Sequence, residues 1–259
     1  MTIMKNCTHS HAFWRRQGGF SLVELSVVLL VIGLIAGAVA VGGDMQRNAA
    51  YQRIGSSFVN GWNLAYLSYK TKWGVVVADS QVTPTGFVNQ NTTGTNTGGT
   101  GSIAEICGDS LRGFMLAAGV DMPQGRAEGK NTQYSYLDSN GNPQEMTVCF
   151  RSIPWLTETA VSGTYATPIK NVMVLHHVTP DLARLIDSLV DTARDAQFGK
   201  VRQYPGLGPA AGNALSSVAK AEYSLTNDCV QGTPDVSATC GTALNEAQVA
   251  TMTIYYLMD

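Results

Sequence analysis

The dominant hydrophobic pattern is residues 20–41, FSLVELSVVLLVIGLIAGAVAV, about 22 residues broken by a single charge, Glu24. As a helix rising ~1.5 Å per residue this run extends ~33 Å, enough to cross a hydrocarbon core ~30 Å thick. Beyond Gly42-Gly43 the pattern becomes one-sided. Ile54, Phe58, Trp62, Ala65, Tyr69 and Trp73 recur every three or four positions, while Arg53, Asn60, Asn63 and Lys70 fall off that stripe. The spacing predicts that the helix continues in amphipathic form to about Lys72, with one side built to bury. The glycine pair predicts a weak joint between the halves, because each glycine costs up to ~1 kcal/mol in a helix.

The remaining chain alternates short patterns with breakers. Residues 83–102 are Thr, Asn and Gly with almost no apolar content, which predicts a long surface loop. Ser102-Ile103-Ala104-Glu105 reads as a capping box, opening a helix with Ile103, Ile106, Cys107, Leu111, Phe114 and Ala118 on its apolar side and Gly119 at its end. Residues 134–138 and 145–151 flank Asn140-Gly141 and predict a hairpin. Residues 170–176 predict a strand. Thr179-Pro180-Asp181 then supplies N-cap, N1 proline and first-turn acid for a helix burying Leu182, Leu185, Ile186, Leu189, Val190 and Ala193. Residues 200–215 are rich in Gly, Pro and Ala and read as a linker, and residues 249–258 as a final strand. The fold class is therefore α+β: one long helix (about 20–72) packed on an antiparallel sheet, with extra short helices.

Charge and cysteine usage narrow the compartment. Lys5, Arg15 and Arg16 precede the apolar run with no acid among them, which places the N-terminus in the cytoplasm by the positive-inside rule. The chain has 17 basic and 19 acidic residues; without those three bases the balance falls from −2 to −5, so no basic surplus suggests nucleic-acid binding. Cys7 precedes the apolar run, on the cytoplasmic side by the same rule. Cys107, Cys149, Cys229 and Cys240 remain, an even number on the oxidising side, and predict two disulfides. Of the three possible pairings, sequence proximity favours Cys107–Cys149 with Cys229–Cys240. Placing Cys149 on the polar side of its strand and Cys107 on a buried helix side is in tension with that choice.

At the N-terminus, Arg15-Arg16-Gln17-Gly18-Gly19 runs directly into Phe20-Ser21-Leu22-Val23-Glu24-Leu25. The apolar segment follows the small residues instead of preceding them, unlike a secretory signal. This junction closely resembles the prepilin signature of type IV pilins and pseudopilins. The resemblance implies that a prepilin peptidase cuts between Gly19 and Phe20, that the new amine of Phe20 is methylated, and that Glu24, the fifth mature residue, pairs with the Phe20 amine of a neighbouring subunit. Gly33 sits where many pilins carry a glycine. Val41 stands in place of a helix-kinking proline common in the family. The implied organisation is a leader (1–19), a membrane and filament-core helix with its extension (20–72), and a periplasmic or extracellular head (73–259). The expected function is a structural filament subunit, first anchored once in the inner membrane with its head in the periplasm and later part of a pilus. Its partners are the peptidase, other pilin subunits and the inner membrane. The alternatives are a minor or tip pilin acting as a binding module in adhesion or DNA uptake, and a type II secretion pseudopilin.

Other candidate chemistry is thin. Residues 138–145 alternate acids and amides faintly like a calcium loop, but the glycine at the sixth place is missing and Cys149 stands where a bidentate glutamate belongs, so a hairpin turn is expected. His176-His177 alternate across a strand and read as strand packing. Asn91-Thr92-Thr93 is a formal glycosylation sequon and reads as chance. No spacing selects a catalytic triad, metalloprotease motif or phosphate loop. No enzyme activity, metal or cofactor is expected.

Overall fold

The computed structural model describes residues 19–94, 105–158, 165–192, 194–204, 222–224 and 251–258, less the side chains of residues 39–41, 44, 158, 165 and 204. It divides into two compact units, Met1–Gln46 and Arg47–Asp259.

In the first unit the helix α1 (Leu22–Arg53) begins, and its large apolar side chains from Leu22 to Ile35 stand exposed. Among the described residues no helix is long and apolar enough to cross a membrane. The span expected over residues 20–41 includes 39–41, whose side chains lie outside the described residues. α1 runs through Gly42 and Gly43 without a break, so the expected joint is not where helical geometry changes. The change lies at Ile54–Val59, a π-helical segment, after which α2 (Asn60–Trp73) resumes regular geometry. Gly55 lies in that segment, where a Cβ would sit 2.5 Å from Leu189 Cδ1. The helix stops at Gly74, which takes φ +73° and returns its N–H to the carbonyl of Lys70, a conformation that glycine adopts without a steric penalty.

The second unit is built around the buried side of this rod. Tyr51, Ile54, Phe58, Val59, Trp62, Ala65, Tyr66 and Tyr69 are all buried. Trp73, the last residue of the expected stripe, is instead 38% exposed and stacks on Tyr69. The partner surface is a six-stranded antiparallel sheet in the order β1-β3-β6-β8-β7, with β2 beside β1 on the same edge of β3. The strands are β1 (Ile106–Cys107), β2 (Gln133–Leu137), β3 (Pro143–Pro154), β6 (Ile169–Val178), β7 (Val201–Tyr204) and β8 (Met252–Leu257); β4 (Thr157–Glu158) and β5 (Tyr165–Ala166) pair separately. Alternation sorts their side chains. Met146, Val148, Phe150, Met173, Leu175, Ile254 and Tyr256 join the helix core, whereas Cys149, Ile153, Val172, Val174 and Tyr255 form a second cluster on the other face. Phe150 is the centre of the first, meeting Trp62 and Tyr66 edge-on at 5.8 and 5.6 Å.

Several expectations are revised. The helix expected from Ile103 begins only at Gly108: α3 covers Gly108–Ala117, and Ile106 and Cys107 are a strand. Pairing decides this, since Ile106 lies opposite Phe150 and Cys107 opposite Cys149, and Gly108 at φ +53° turns the chain into the helix. Glu105 is therefore not a capping residue, and Ser102 to Ala104 lie outside the described residues. The start of the expected 83–102 loop is clasped to the head. The Asp79 carboxylate accepts the backbone N–H groups of Ser80, Thr85 and Gly86, and Asn171 Oδ1 accepts the N–H of buried Val88 at 3.0 Å. Asn91 Oδ1 accepts the N–H of Gly94, so the sequon amide closes a local turn. Residues 201–204 are strand, not linker. In α4 (Pro180–Val190), Leu182 and Ile186 are buried as expected, together with Ala183. Leu185 and Val190 are half-buried and Leu189 is 51% exposed at the rim over Gly55, while Ala193 lies outside the described residues. Thr179 occupies the N-cap without a side-chain bond; its backbone N–H goes to the Tyr136 hydroxyl at 3.0 Å.

The hairpin and the sheet edges close as follows. β2 and β3 pair from Gln133↔Thr147 to Leu137↔Pro143 around the expected turn. On the outer side of β2, Gln133 O accepts the N–H of Arg126 at 2.7 Å and Leu137 O accepts the Tyr51 hydroxyl at 3.0 Å. On β7 at the far edge, Val201 O accepts the Tyr223 hydroxyl and Gln203 N–H goes to Ala196 O.

Candidate functional site

Gly19, Phe20 and Glu24 lie within six residues of one another at the start of α1. Gly19 and Phe20 precede the helix, and nothing lies within 4 Å of the position a Cβ on Gly19 would take. Phe20 is 84% exposed. Ser21 caps the helix: its Oγ accepts the N–H of Val23 at 3.3 Å, and its carbonyl accepts the N–H of Leu25 at 3.1 Å. Glu24 falls in the first turn, where a negative charge is favoured by the unpaired N–H groups of the helix end. Ser21-Leu22-Val23-Glu24 has the S-x-x-E form of a capping box, a signal present in the sequence and overlooked there. The segment thus presents a Gly-Phe peptide immediately before a defined helix start, with a carboxylate in the first turn.

In the head, Cys107 and Cys149 form a disulfide between direct cross-strand partners, Cα–Cα 4.4 Å. This is the favoured pairing, and the tension over faces disappears because Cys107 is on a strand. Cys229 and Cys240 lie outside the described residues. The disulfide brings Glu105 into a network that sequence reasoning missed. Glu105 Oε1 accepts from Arg151 Nη1 at 2.9 Å, and Oε2 lies 2.9 Å from His176 Nε2. Arg151, with a side chain only 5% exposed, also donates to the Tyr255 hydroxyl at 3.3 Å. His176 Nδ1 meets Thr253 Oγ1 at 3.2 Å. Burial alone would raise the Glu105 carboxyl, but His176 and Arg151 outweigh it and hold the group below its ordinary range. The network ties β1 to β3, β6 and β8. Glu105 and the two cysteines come close enough to bracket an ion, yet both sulfurs are consumed in the disulfide and offer no thiolate.

Two aspartates complete the polar interior. Asp138 accepts N–H groups from the backbone of Asn140 and Asn142 and from the side chains of Asn142 and Gln144, so its oxygens close the hairpin turn. Burial opposes ionisation there, but the Asn142 amide and the other donors outweigh it and lower its pKa. Asp187 is different. It is fully buried, accepts one backbone N–H from Asp195 at 2.9 Å, and is pushed up to about 7 by burial and by the neighbouring Asp191. His177 takes φ +58° where β6 slips register against β8, which turns it away from the strand alternation expected of it.

No curated protein and no solved structure matches the chain. One family model does, over 27 residues at the N-terminal junction. Residues 14–40 match the prokaryotic N-terminal methylation motif, the type IV pilin and prepilin signature.

Proposed function

We propose that the chain is a pilin-like structural subunit, processed by prepilin peptidase after Gly19, methylated at Phe20 and polymerised into a filament. The observation that carries this is the Gly19-Phe20 peptide lying immediately before a capped helix start with Glu24 in its first turn, inside the matched motif. Before assembly the apolar segment holds the protein in the inner membrane with the head on the periplasmic side. In that setting a lone carboxylate and a lone ammonium are each costly. The Phe20 amine of one subunit and Glu24 of the next offset both costs only in one axial register, which fixes the subunit step. The family that the motif marks is structural, and the site's chemistry is accordingly a charge pairing with no turnover.

The test is Glu24→Ala in the full chain. Cleavage and methylation should persist, read as the mass of the mature N-terminus, while sheared filaments are lost. Normal filaments from that variant would refute the register mechanism. Replacing Gly19 with a bulky residue should leave the leader attached.

A further inference from the structure

A cavity of ≈ 620 Å³ lies between the end of α1, the turn at residues 123–126 and β2. Its polar lining is Arg53, Ser57, Gln124, Arg126, Tyr134 and Ser135. Arg53 and Ser57 are four residues apart on the helical rod and open on the same cavity. Among the described residues the side chains of Arg53, Ser57, Gln124 and Ser135 make no hydrogen bond or ion pair. Arg126 is aimed by Glu145, 2.7 Å from its Nη1, and this uses one of the five N–H donors of the guanidinium. The Tyr134 ring is fixed against Phe58 at 4.9 Å and lines the cavity.

The wall carrying Arg126 is locked in place. A Cβ on Gly125 would collide with the backbone of Lys130, Asn131 and Gln133, and one on Gly61 would meet Pro123 Cβ at 2.9 Å. Asn131 Nδ2 holds the Pro123 carbonyl at 3.1 Å, and Arg126 N–H holds Gln133 O at 2.7 Å. Two guanidiniums and three hydroxyls thus converge on a pre-shaped space that holds one carboxylate at its edge, Glu145. Guanidinium forks match planar or tetrahedral oxyanions through paired N–H bonds, and pre-organised donors lose little freedom on binding.

We propose that this cavity binds an oxyanion group, carboxylate or phosphate, on a polar ligand, with Arg53 and Arg126 as its two cationic clamps. The proposal does not depend on polymerisation and holds for a major or a minor subunit. Two sources share this chemistry: an acidic sugar, and a phosphate ester or free phosphate.

The experiment titrates the full chain in detergent micelles, at low ionic strength because exposed charges are screened by salt. Binding of glucuronate and, separately, of inorganic phosphate is followed by calorimetry. Saturable binding of either probe supports the site, and the tighter probe identifies the source. Arg53→Gln and Arg126→Gln should each weaken it at least ~10-fold, the scale of one lost charge-assisted fork. Glu145→Gln should tighten it, since it frees Arg126 from its carboxylate partner. Lys70→Gln, outside the cavity, should leave it unchanged. Arg126 has a side chain 56% exposed, so these variants keep the fold, checked by far-ultraviolet dichroism. Failure of both probes to saturate, unchanged binding in both arginine variants, or an equal loss in Lys70→Gln would each overturn the proposal.

Discussion

Removing Glu105 tests the head network most directly. Glu105→Ala leaves the Arg151 guanidinium, with its side chain 5% exposed, without the carboxylate 2.9 Å away. Breaking a buried ion pair from one side costs ~3–5 kcal/mol, because the surviving charge stays buried. Glu105 itself is 22% exposed, so water entering its place recovers part of that, and ~2–4 kcal/mol is expected. At ~2–4 °C per kcal/mol for a domain of this size, the midpoint should fall by about 5–15 °C. The assay is thermal unfolding of the full chain in mild detergent near neutral pH, at low and high salt, since a buried pair is screened little. Adding Arg151→Met removes the stranded charge while keeping an apolar stem. The double variant should then be more stable than the sum of the single losses by ~1–3 kcal/mol. A pH series adds a sign. The folded Glu105 carboxyl lies below its unfolded value of ~4.3, so its contribution is complete above that pH and is lost as pH falls through the folded value. A midpoint shift under about 2 °C for Glu105→Ala, or strict additivity with Arg151→Met, would refute the account.

Phe150→Ala removes the ring between Trp62 and Tyr66 and should cost ~3–5 kcal/mol in urea unfolding, with altered tryptophan fluorescence. Asp187 carries the opposite pH sign from Glu105. Its folded pKa, about 7, lies above the unfolded ~3.9, so stability should decline as pH rises between those values, and Asp187→Asn should flatten that slope and raise stability at pH 8. Replacing Cys107 and Cys149 by alanine opens a link across 42 positions and should cost ~4 kcal/mol in the chain-entropy model, read as a lower urea midpoint.

Where local pattern and final contacts agreed, the fold was readable. The stripe from Ile54 to Tyr69, the Asn140-Gly141 hairpin and the Thr179-Pro180 helix start each carry their signal within a few residues. The π segment was invisible because three- and four-residue spacings do not reveal one extra residue in a turn. Glu105 was misread for a related reason. Its local context looked like a helix cap, yet its partners Arg151 and His176 lie 46 and 71 positions away and become neighbours only through strand pairing. Ser21 shows the converse, since the same short pattern was present one turn before Glu24 and there it does cap a helix. The cysteine pair was correct by proximity, while the reason, direct opposition of β1 and β3, needed the register.

The two rims of the sheet bear on crowding. An open strand margin is a template on which a second molecule zips up backbone to backbone. Here Arg126 and Tyr51 take the outward carbonyls of Gln133 and Leu137 on either side of Ser135, and Tyr223 and Ala196 occupy β7 in the same way. Among the described residues neither rim offers a neighbouring copy an uninterrupted ladder to fuse along, so copies of this domain can stand close together as separate beads.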